Sequence, residues 1–196
     1  MASPISIPEI LSTKVIPYDE IRPALKTGDL VFCSGTYFFS NAIRWFTKSV
    51  WSHVGIIYQD AHLERVFILE SETFIGVRLA PVSKYLRDYH GRNRPYRGRM
   101  MIARLASAVE PEGVKQAISF GMDELTKPYD NLEILRIAIR LLLKRGRRNR
   151  DRKYICSELV YECYRQAGVR FKFHRKSISP DDIWRDERIQ PICRIL

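Results

Sequence analysis

The chain has 196 residues, 45% of them hydrophobic, with 33 Lys and Arg against 22 Asp and Glu and a formal net charge of +11. This composition excludes an intrinsically disordered chain, and the length suits one domain, 1–196, that buries a core without disulfide staples. The four widely spaced cysteines, the lack of a recognisable export leader and the lack of any run of 18 uncharged apolar residues point to a reducing, cytoplasmic setting without a spanning helix.

Pro4, Pro8, Pro17 and Pro23 predict an extended lead-in over 1–25 that ends in a short helix around Tyr18 to Leu25. KTGDLVFCSG then reads as a strand opened by a Gly-Asp turn. FFSNAIRWFTKS reads as a helix, with Phe39, Ile43 and Phe46 at helical spacing, and SHVGIIYQD as a second strand. ERVFILESET follows as a third strand after the polar turn near Asp60 and Ala61, and MMIARLA, beyond the Arg-rich loop 92–99, as a fourth. From Pro111 the period becomes helical: EGVKQAISFGMDEL, then LEILRIAIRLLLKRG after the loop KPYDN, then SELVYECYRQAG, which closes on Gly168. The pattern predicts an α+β fold, an antiparallel sheet packed against helices.

Residues 132–153, apolar and then strongly basic, read as an insertion, and seven of the ten residues 144–153 are Lys or Arg. Leu135, Ile139, Leu142 and Leu143 with Arg136, Arg140 and Lys144 suit a peripheral contact with anionic membrane. They also suit a core-packed helix with a solvated basic end, the commoner source of helix stability.

Cys156 stands where an apolar approach, Tyr154 and Ile155, meets the start of a helix, a position whose free N–H groups favour a thiolate. Cys156, Leu159, Val160, Cys163 and Ala167 also follow the spacing of a buried stripe, in which both cysteines are small hydrophobes. A nucleophilic cysteine needs a base, and of His53, His62, His90 and His174 only His53 begins a strong strand. With the hairpin centred between Ala61 and His62, paired positions sum to 123 and His53 falls opposite Glu70; a slip of two residues substitutes Glu72. A carboxylate there holds one ring nitrogen and leaves the other for the thiol, although strand glutamates also serve simply to solvate an outer face.

KTGDLVF, SHVGIIY, a strand ending in Glu70-Ser71, KPYDN and YICSELVYECYRQAG, in this order over residues 26–168, resemble the circularly permuted papain-like amidase and peptidase family. This is the YaeF/YiiX-like branch of the NlpC-type superfamily, in which the histidine precedes the cysteine. The resemblance implies a permuted papain-like fold with Cys156 as nucleophile, His53 as base and Glu70 as the residue that orients it. It implies acyl transfer: a thioester on Cys156, leaving-group protonation by His53, an oxyanion bound by backbone N–H groups, and no cofactor or metal. Tyr129 and Asp130 match the family's Pro-Tyr-Asp motif, and with Tyr154 they are candidate substrate-binding residues; Asp130 also suits a helix cap. The expected substrate is a peptide, amide or ester. Relatives of the permuted fold that act on lipids make a lipid acyltransferase or phospholipase-like enzyme the alternative.

A third reading is a non-catalytic module in which GRNRPYRGR and KRGRRNRDRK grip nucleic acid or anionic lipid and Tyr96 stacks on a base. No zinc-finger, RRM, P-loop or dinucleotide-binding pattern accompanies that charge, and neither HExxH nor CxxC occurs.

Overall fold

The computed structural model describes residues 5–73, 75–106, 109–128, 155–172 and 178–196. Among them β1 (Leu30–Gly35), β2 (His53–Asp60), β3 (Arg65–Glu72), β4 (Gly76–Pro81), β5 (Gly98–Leu105) and β6 (Ile189–Arg194) form one sheet in the order β4-β3-β2-β1-β5-β6. Every neighbouring pair is antiparallel. The helices are α1 (Ile7–Ser12), α2 (Tyr18–Ile21), α3 (Phe38–Thr47), α4 (Val82–Arg87), α5 (Pro111–Asp123), α6 (Cys156–Gln166) and α7 (Pro180–Trp184). The α+β class is the one the patterning predicts.

β1 is buried at every position because both faces of the sheet are covered, which is why LVFCSG reads as a continuous run rather than an alternation. Leu30, Phe32, Val54, Ile56 and Leu69 pack on one side with Ile118 of α5 and Leu159, Val160, Cys163 and Tyr164 of α6. Val31, Cys33, Ile57, Ile68, Met100 and Ile102 pack on the other, beneath Leu25 of the lead-in and Tyr85 of α4. His53 and Glu70 share the parity of Ile57 and Ile68, so they project from this second face.

The lead-in differs from its extended prediction. Ser6 and Glu9 form a capping box, each side chain accepting the other's backbone N–H, and this starts α1. β4, α4, α7 and β6 also lie outside the sequence-based elements. β6 carries Pro191 and occupies the sheet edge, the place where a strand tolerates proline. The predicted helix LEILRIAIRLLLKRG and the insertion 132–153 lie outside the described residues.

The β2–β3 hairpin corrects its expected register. Ile56↔Leu69, Ile57↔Ile68 and Asp60↔Arg65 pair. The connection therefore holds four residues, 61–64, with Glu64 at φ 50° and Asp60 Oδ1 accepting the N–H groups of His62 and Leu63. The displacement is two residues, which preserves the face of every side chain.

α6 is fixed along its buried stripe and at its start, where Ser157 donates its hydroxyl to the Ile178 carbonyl at 2.8 Å in a fully buried bond. Gly121 of α5 lies against both partners. A Cβ there would run into Leu69 of β3 and sit 3.0 Å from Cys163 Sγ of α6. Removing the bond at the helix start with Ser157→Ala is expected to cost about 1–2 kcal/mol. Urea melts should show a lower midpoint at an unchanged m-value; an unchanged midpoint would mean that the bond does not hold the helix. Among the described residues no helix is long and apolar enough to cross a membrane.

Candidate active site

β1 and β2 pair with Cys33 opposite His53, while the β2–β3 ladder has already stopped at Ile56↔Leu69. Continued beyond that pair, the register puts Gly55 level with Glu70 and His53 level with Glu72, not Glu70 as the sequence suggested. The carboxylate that reaches His53 is nevertheless Glu70, with Oε2 2.6 Å from Nε2. The reason is Gly55: a Cβ there would lie 2.5 Å from Ile68 Cγ2 and 3.3 Å from Glu70 Cβ. The bare backbone leaves the space through which Glu70 leans diagonally to His53.

Glu70 is fully buried and accepts from three side chains. Arg78, its direct partner on β4, donates Nε to Oε1 at 2.8 Å. Tyr85, from α4, donates its hydroxyl to Oε2 at 2.6 Å, the oxygen that His53 also uses. Sequence reasoning missed both residues. Arg78 was discoverable from the alternation within GVRLAP, whereas no local signal links Tyr85 to Glu70.

Cys156 is the first residue of α6 and only 6% exposed. Ile155 takes the cap position in extended conformation, and no side chain caps the helix, so the first-turn N–H groups converge beside the sulfur. The charge of Cys156 is the largest influence raising the His53 imidazole, which puts the sulfur beside that ring. Since Nε2 of that ring serves Glu70, the nitrogen left for the sulfur is Nδ1. Beneath the ring, Ser52 accepts from the Gly35 N–H at 3.0 Å and donates to the Cys33 carbonyl at 3.1 Å, locking β1 to the start of β2.

The electrostatics favour an ionised His53–Glu70 pair. Burial opposes the His53 cation. The charge of Cys156 and its hydrogen bond to the ring, followed by the hydrogen bond and charge of Glu70, outweigh burial and push the imidazole up to about 10. Burial likewise opposes the Glu70 carboxylate, and the hydrogen bond and charge of His53, with Arg78 and Tyr85, hold it down at about 2. The other cysteines are held as thiols: burial pushes Cys33 and Cys163 well up and Cys193 up to about 11.

A cavity of about 360 Å³ opens beside His53, with Tyr37, Tyr85, Tyr89, Tyr96 and Glu72 among its walls. Its tyrosines pack on one another, Tyr85 lying 4.9 Å from Tyr89 and 5.5 Å from Tyr96 between ring centroids. Tyr96 is thereby buried and is not the exposed stacking platform that the nucleic-acid reading required. Glu72, the alternative partner for His53, instead lies 3.8 Å from His90. Tyr129, Asp130 and Tyr154 lie outside the described residues. Among the described residues no three His, Cys, Asp or Glu side chains gather as a metal-ligand set.

Comparison with known proteins gives the same fold. The model of the permuted papain-like amidase enzyme family, YaeF/YiiX, C92, matches residues 24–191. Among solved structures the chain is similar to the metalloprotein yiiX from Escherichia coli O157:H7. The match covers 86% of this chain and 97% of that one at a TM-score of 0.62, with 16% sequence identity. No curated protein matches.

Proposed function

Because the chain belongs to the permuted papain-like amidase family, YaeF/YiiX type, and is therefore a cysteine hydrolase of the amidase class, we propose that it cleaves amide or peptide bonds through a thioester on Cys156. In this reading His53 is the acid and base, and Glu70 orients it. The observation that carries the reading is one imidazole bonded through Nε2 to a buried carboxylate and raised chiefly by the charge of the helix-start cysteine.

The chemistry follows from that arrangement. The Cys156 sulfur, as thiolate beside the His53 imidazolium, adds to the amide carbonyl, and the oxyanion is met by N–H groups of the first turn of α6. Nδ1–H gives its proton to the departing nitrogen, the C–N bond breaks, and a thioester and a free amine result. Neutral His53 then takes a proton from water as the hydroxyl adds to the thioester, and the sulfur leaves as thiolate with a carboxylic acid as product. Glu70 stays ionised throughout, holding Nε2–H and thus keeping Nδ1 toward the sulfur.

Alkylation tests this without a known substrate. Iodoacetamide should modify Cys156 at about pH 6–7 far faster than Cys33, Cys163 or Cys193, as read by mass spectrometry of each cysteine, and the advantage should vanish in His53→Ala. Slow labelling of Cys156 with a midpoint near the ordinary thiol value of about 8.5, unaffected by His53, would sink the proposal.

A further inference from the structure

The buried carboxylate has four lone-pair positions in two oxygens, and the fold fills them asymmetrically. Oε1 is taken by Arg78, while Oε2 is shared by Tyr85 and His53. Both outside donors come from rigid surroundings. Arg78 is the residue level with Glu70 in the β3–β4 ladder, and Tyr85 is itself buried, with its ring wedged against Tyr89 and Tyr96. Glu70 has no side chain level with it on β2, only Gly55, so the bond it makes to that strand is the diagonal one to His53.

We propose that Arg78 and Tyr85 are positioning residues: they set the rotation of the Glu70 carboxylate so that Oε2 holds the His53 Nε2–H and Nδ1 stays toward Cys156. This rests on the proposed roles of Cys156, His53 and Glu70. A neutral imidazole carries its proton on either nitrogen, and the hydrogen bond at one nitrogen decides which. Only the Nε2–H form presents an acceptor to the sulfur. A carboxylate free to rotate about its own axis loses that selection even though its charge remains. Burial keeps Tyr85 a phenol, hence a donor at any pH near neutrality.

The remaining charged or titratable neighbours do not substitute. Cys33, on β1, is held as a thiol, Glu72 lies against His90, and Tyr89 is kept a phenol by burial. The guanidinium fork matters as well as its charge, because an ammonium at residue 78 supplies no fixed direction to Oε1.

The test reads the ring rather than the fold. In uniformly 15N-labelled protein, with His53 assigned by its absence in His53→Ala, the wild-type ring should show the Nε2–H pattern once it is neutral, above about pH 10. Tyr85→Phe, which keeps the ring packing, and Arg78→Gln should shift it toward a mixture of tautomers. Cys156 alkylation at about pH 6.5 should fall roughly threefold in Tyr85→Phe and roughly tenfold in Arg78→Gln, with only partial recovery in Arg78→Lys. Lower melting temperatures in the 78 and 85 variants, together with an unchanged tautomer and unchanged alkylation, would reduce both residues to structural partners of a buried charge and overturn the inference. If alkylation in wild type ignores His53 altogether, the catalytic reading falls first, and this inference with it.

Discussion

Replacing Cys156 by alanine is expected to abolish turnover of every peptide, amide or ester that the wild-type protein cleaves, a loss of more than about a thousandfold, because the acyl intermediate forms on that sulfur. The melting temperature should barely change, since one sulfur at the seam between sheet and helix is removed while Leu159, Val160 and Cys163 keep α6 packed, a cost below about 1 kcal/mol. A collapse of stability with normal activity in the folded fraction would instead make Cys156 a structural residue. His53 gives the wild-type protein a pH signature as well. A His53 raised to about 10 contributes stability that is fully present below its unfolded value of about 6.5 and disappears as the pH rises through about 10. The charge of Cys156 is the largest of the influences raising it. Wild-type melting temperatures should therefore fall as the pH rises through about 10, and His53→Ala should lack that fall.

Glu70→Gln is expected to lower turnover by at least about a hundredfold, whereas Glu72→Gln should cost less than a tenth of that loss. The amide keeps the shape of Glu70 but not its charge, and it offers His53, Arg78 and Tyr85, all donors to the native carboxylate, only one accepting atom. Glu72 lies 3.8 Å from His90. Stability separates the variants too. A carboxylate held at about 2 contributes stability above its unfolded value of about 4.3, and that contribution is lost as the pH falls toward about 2. Wild type should lose that increment on acidification, and Glu70→Gln, lacking it from the start, should not. Equal kinetic losses for both glutamines would mean that the carboxylate serving His53 is not the one bonded to it in the structure.

The glutamate was legible for a reason that differs from the geometry that realises it. The alternation in SHVGIIY and ERVFILESE gives the strands and their faces, and a two-residue displacement leaves those faces intact, so Glu70 stays on the side of His53. What alternation lacks is the length of the turn, since Glu64 in a left-handed conformation extends it to four residues. It also lacks any account of Gly55, whose missing side chain converts a mismatched register into a diagonal bond. Short elements escaped for a related reason. β4 and α4 are six residues each, bounded by Pro81 and Asp88, too brief for periodicity to stand out, so Arg78 and Tyr85 went unseen. Cys156 was the opposite case: a helix start and a motif coincide at one residue, and local sequence carries both.

The nucleophile and its base come from different layers, one on α6 and the other on the sheet, and their spacing is inherited from whatever separates those layers. At Gly121 nothing does: α5, β3 and α6 touch through a hydrogen atom. A methyl group there, remote from any reacting atom, would act as a shim, pressing on Leu69 of β3 and on Cys163 of the helix that bears the sulfur. The tolerance of the centre is thus set by the thickness of a wall on the far side of the sheet from His53, and a search for variants with altered reactivity has reason to begin there.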